Sequence, residues 1–139
     1  MKLRLAIMLL AMAMALPAPQ ANAQAPPSLT ISATCRTPPA SGDGGTFQCT
    51  SESARLLAPA GFAFVRATLD GGFVESGGPK PACDVEWTEL VALSPGSDQK
   101  EPRVLTLRAR ANSQRGYGRR GPGWANCSYS VQLVPYVTP

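Results

Sequence analysis

Between Asn112 and Asn126 the chain reads Asn-Ser-Gln-Arg-Gly-Tyr-Gly-Arg-Arg-Gly-Pro-Gly-Trp-Ala-Asn, the stretch densest in groups able to meet a ligand. Arg115, Arg119 and Arg120 bring guanidinium forks, which fit the oxygens of carboxylate, sulfate or phosphate. Tyr117 and Trp124 bring flat aromatic faces for sugars or cations. The glycines and Pro122 between them mark a loop, where binding function commonly sits. Arg108 and Arg110 precede it on a strand whose alternation turns them outward, so they extend the basic patch. These seven residues predict a site for an anionic ligand: an acidic glycan, a lipopolysaccharide phosphate or an acidic protein. The competing arrangement is a solvated hairpin loop with Trp124 folded over the core beside Cys127.

Other constellations offer less. Cys35-Arg36-Thr37-Pro38-Pro39 is a disulfide-tethered, proline-stiffened segment presenting a basic side chain, the preorganised form a protease inhibitor uses. Asp84, Glu86 and Glu89 could in principle do acid–base work on glycosides, but nothing beside them in sequence builds a cleft. Ser97-Asp98-Gln99-Lys100 spells Ser-x-x-Lys, yet it lies in a polar loop and lacks the companion Ser-Asp-Asn and Lys-Thr-Gly motifs. There is no histidine, which removes Ser–His and Cys–His nucleophile pairs and imidazole metal ligands. The expectation is a binding domain without catalytic residues, metal or cofactor. Its alternatives are an inhibitor of an exported protease, and a structural or adhesive subunit of an envelope assembly.

Compartment decides how the cysteines are read. Lys2 and Arg4 precede an apolar run from Leu5 to Leu16, followed by Ala21-Asn22-Ala23, the form of a cleaved signal peptide over residues 1–23. That run is too short to span a bilayer, which needs roughly 20 apolar residues. The form suits Gram-negative export to the periplasm or beyond, as a protein that does not span the membrane. Without Lys2 and Arg4 the charge falls from +4 to +2, eleven basic residues against nine acidic, too mild a bias to imply nucleic acid.

In an oxidising space four cysteines are staples rather than ligands. None is spaced as C-x-x-C, so neither a redox motif nor paired thiolate ligands for zinc is present. The expected pairs are Cys35–Cys49, across a hairpin of the first two strands, and Cys83–Cys127, at one end of a three-stranded meander.

The elements that must position these residues follow from period-two alternation. A loose arm over 24–28 leads into a single β domain over 29–139. Leu29 to Cys35 alternates apolar and hydroxyl residues, and further strands are predicted near Thr46–Ser51, Phe62–Leu69, Val85–Leu93, Val104–Ala111 and Cys127–Val134. Glu52–Ala58 is ambiguous, a short helical turn capped by Ser51 or Ser53 being one option, while Asp70-Gly71-Gly72 reads as a strand-ending turn and Gly77–Pro81 as a loop. In Val85–Leu93 the alternation slips: a bulge near Thr88 or Glu89 would restore it, and the alternative is that both faces are covered. Six to seven short antiparallel strands make a disulfide-stapled all-β sandwich, or a partly open barrel.

Overall fold

The structure is a computed structural model, and it describes residues 25–40, 46–114 and 121–137. The predicted leader therefore lies outside the described residues. So do Arg115, Tyr117, Arg119 and Arg120.

The described chain is all-β: two antiparallel sheets and eight strands, β1 (Ser28–Arg36), β2 (Gln48–Thr50), β3 (Ala54–Leu57), β4 (Phe62–Phe64), β5 (Asp70–Gly77), β6 (Ala82–Ala92), β7 (Lys100–Asn112) and β8 (Trp124–Pro135). Each sheet is built around one long central strand. In the first, β8 pairs with β1 along Trp124–Gln132 and with β5 along Trp124–Ser130, so these two occupy opposite edges. β4 takes the remaining Leu133–Pro135. In the second, β7 carries β6 on one edge, with β2 and β3 end to end on the other.

The alternation read from sequence explains the core. Ile31 and Ala33 of β1, Ala125, Cys127, Val131 and Leu133 of β8, and Leu105, Leu107, Ala109 and Ala111 of β7 all point between the sheets. Phe64 is fully buried there and meets Trp87 with ring centroids 6.1 Å apart. The hydroxyl positions of β1 face outward, as its period requires.

Several local readings need correction. Phe62–Leu69 is not one strand: it breaks after Phe64 into a 3-10 turn over Arg66–Thr68. Glu101, nearly buried on β7, holds that turn by accepting hydrogen bonds from the Arg66 backbone N–H (3.2 Å) and side-chain Nε (3.4 Å). Asp70-Gly71-Gly72 opens β5 rather than ending a strand, because glycine allows a close approach that a side chain would block. A Cβ on Gly71, at φ +136°, would collide with the Ser128 carbonyl. Ala54–Leu57 is a strand, not a helical turn: β7 supplies an open ladder edge, which outweighs the local capping signal.

No extra residue restores the pattern in β6. Its register with β7 runs unshifted from Ala82↔Arg110 to Ala92↔Lys100. Glu89 instead adopts a left-handed backbone, φ 58°, and its carboxylate meets Arg55 at 3.0 Å. The shift in register lies elsewhere, between Phe73 and Glu75 of β5. The loose arm is also shorter than read, since Ser28 already belongs to β1 and the Pro27 carbonyl accepts from Leu133 N–H.

Both expected disulfides form, Cys35–Cys49 and Cys83–Cys127, and neither cross-links strands of one sheet. β1 does not pair with β2, and β8 is no part of a meander with β6 and β7. Each bridge instead joins one sheet to the other. These bonds mark a protein of an oxidising, non-cytoplasmic compartment. No helix among the described residues is long and apolar enough to cross a membrane.

Candidate functional site

Arg108 and Arg110 do point outward on β7, alternating with the buried Leu107, Ala109 and Ala111. Trp124 points outward as well, but on β8, alternating with the buried Ala125 and Cys127. The two arginines and the tryptophan therefore stand on opposite faces of the sandwich.

On the β7 face the arginines meet carboxylates. Asp84 accepts a fork from Arg110, with Nη2 2.9 Å from Oδ1 and Nε against Oδ2. That hydrogen bonding holds the Asp84 carboxyl below its ordinary value and raises the Arg110 guanidinium. Arg108 Nε donates to Ser53 Oγ at 2.5 Å. Glu86 shares the face with Asp84, while Glu89 is occupied by Arg55. The acidic set and the strand arginines, far apart in sequence, thus line one surface.

On the β8 face Trp124 lies in a cross-strand row with Arg36 of β1 and Gly77 of β5. The missing Cβ at Gly77 is what lets the indole settle there, since any side chain would occupy the space of its six-membered ring. The Arg36 guanidinium carbon lies 5.6 Å from the centre of the indole ring, within cation–π range. Trp124 does not fold over the core beside Cys127; it is the first residue of β8 and covers β5 from outside. Arg36 is likewise the last residue of a paired strand rather than the tip of a loop, and Thr37 after it is buried.

Backbone hydrogen bonds pin the feet of the arginine-glycine loop. Gly123 N–H donates to Thr37 Oγ1 and its carbonyl accepts from Thr37 N–H, both at 2.8 Å. Ser113 and Phe47 exchange an equivalent pair: Ser113 N–H donates to the Phe47 carbonyl, and Phe47 N–H to Ser113 Oγ, each at 2.8 Å. Gln114 N–H donates to the Gly121 carbonyl at 2.9 Å, and Asn112 Nδ2 reaches the Pro79 carbonyl at 3.4 Å. With Cys35–Cys49 beside them, these contacts make one end of the sandwich a fixed platform. Thr37, Ser113 and Gly77 had no signal in the sequence, because each acts through a partner more than 40 residues away.

Ser97 is a turn residue. Its Oγ accepts from Gln99 N–H at 3.1 Å, and Lys100 is the exposed first residue of β7. No cluster of three or more metal-ligating side chains occurs among the described residues. No protein-family model, curated protein or solved structure matches this chain.

Proposed function

We infer that this chain is an exported, non-enzymatic binding domain that takes an anionic ligand, such as an acidic glycan, lipopolysaccharide phosphate or an acidic protein, through the arginine-glycine loop. The observation that carries the reading is the anchored pair Arg36 and Trp124 at the foot of that loop. In sequence, Arg115, Tyr117, Arg119 and Arg120 fall between two feet, Gln114 and Gly121, that hydrogen-bond to each other. A segment tied at its base loses less conformational entropy on binding, so more of the interaction energy appears as affinity. Arg108 and Arg110 contribute less to this site than their sequence position suggests, because they stand on the far face among carboxylates.

Retention on immobilised heparin and on an acidic polysaccharide, measured as the salt needed for elution, tests the reading. Replacing Arg115, Arg119 and Arg120 with Ser lowers the eluting salt, since each lost cation weakens a screened contact. Trp124→Ala weakens binding to the polysaccharide. Unchanged retention of the triple variant overturns the proposal.

A further inference from the structure

The outer face of the β7 sheet holds a shallow pocket of about 260 Å³ on the side of the molecule away from Trp124. Register builds it. Asp84 lies directly across from Arg108, Glu86 across from Thr106, and Thr50 across from Arg110 on the other flank. Two carboxylates and two guanidiniums give the lining no net charge.

These four groups are not all satisfied by one another. The Arg110–Asp84 fork is closed and forms a fixed wall. Arg108 makes no ion pair with either carboxylate, its Nε spent on Ser53. Arg108 and Glu86 are diagonal neighbours on adjacent strands, within side-chain reach, yet they form no ion pair. Among the described residues, the Arg108 terminal nitrogens, the Glu86 carboxylate and the Thr50 and Thr106 hydroxyls make no hydrogen bond to another protein group. The pocket thus offers one cation and one anion that are not paired with each other, with neutral hydroxyls beside them.

We propose that this pocket binds a small zwitterion of the α-amino-acid type, its carboxylate on Arg108 and its ammonium on Glu86. A simple anion would meet two carboxylates, and a simple cation would meet Arg108. An uncharged polyol would leave both charges uncompensated. A molecule carrying both signs a few ångströms apart answers each, and a guanidinium is the natural fork for a carboxylate. The volume sets the size class, falling below the roughly 300 to 1,000 Å³ of drug-sized sites. The groups are half-exposed, so water competes and affinity falls near about 1 mM. The site shares no residue with Arg36, Trp124 or the loop, and stands or falls apart from them.

Nitrogen-15 NMR titration of the folded protein with L-alanine tests it, following the Arg108 Nε–H and the Thr50 and Thr106 amides up to about 50 mM, well above the expected dissociation constant. Saturable shifts are expected with L-alanine. Removing either ligand charge, with N-acetyl-L-alanine or L-alanine amide, weakens binding at least about tenfold, the size of one lost charge-assisted hydrogen bond. Glu86→Gln and Arg108→Gln, both on exposed positions, have the same effect while circular dichroism stays unchanged. Absence of a saturable shift with L-alanine overturns the proposal. Equal binding of the N-acetylated form also overturns it, since that would mean a bare carboxylate contact on arginine.

Discussion

Gly123 is buried where the backbone of Asn112 leaves no room for a side chain, and it also exchanges two hydrogen bonds with Thr37. Gly123→Ala therefore displaces main chain rather than a flexible side chain, and a loss of about 1 to 3 kcal/mol in denaturant unfolding is expected. Gly77→Ala is different in kind, because the group in the way is the Trp124 ring. It moves the indole off β5, which a change in tryptophan emission and weaker polysaccharide retention would report. Asp84 gives a third prediction at this scale. The hydrogen bond from Arg110 depresses its carboxyl, so the pair favours the folded state above the usual carboxylate value of about 3.9. That contribution disappears as pH falls through the lower folded value. Carboxyl-carbon NMR is expected to find Asp84 titrating below its ordinary range, with Arg110→Gln moving it back up. Half-exposed on the surface, the pair leaves overall stability nearly unchanged.

Among the elements, the strands with a clear alternation were legible in the sequence, as was the short β2, whereas β3 and the glycine-opened β5 were not. β1, β7 and β8 each alternate over eight or more residues, enough for period two to stand out. β2, β3 and β4 run three or four residues and exist because a long central strand offers them an edge. Nothing inside Ala54–Leu57 announces that partner. The disulfide pairing was readable, but its geometry was not: spacing identifies which cysteines can meet, and says little about which sheet each strand joins. Of the candidate site, the loop composition was plain, whereas the split of Arg108 and Arg110 from Trp124 follows from β7 and β8 belonging to different layers. Each bridge ties layer to layer, so its loss is felt across the core. Replacing Cys83 and Cys127 with Ala, which opens a 44-residue link, is expected to cost roughly 4 kcal/mol, and the 14-residue Cys35–Cys49 link roughly 3 kcal/mol. Equilibrium unfolding in guanidinium ranks the two.

For the whole molecule, one narrow core between two three-strand-wide layers carries the fold. Phe64 is its largest fully buried side chain, touching neither surface. Phe64→Ala is expected to cost about 3 to 5 kcal/mol, measured by thermal or chemical unfolding. The outer face of one layer carries Arg108, Arg110, Asp84 and Glu86 and that of the other Arg36 and Trp124, with Leu57, Val74 and Leu90 among the exposed apolar side chains, so one small sandwich presents two chemically distinct surfaces. Two lateral strands also carry irregularities: the slipped register at Phe73–Glu75 in β5 and the left-handed Glu89 in β6. A second chain seeking to pair along β5 or β6 would find a broken row of amide and carbonyl groups with a glutamate at the break, whereas the β1 edge of the first layer runs without a shift. Backbone amides along β5 and β6 are accordingly expected to keep their solvent-exchange rates as protein concentration rises.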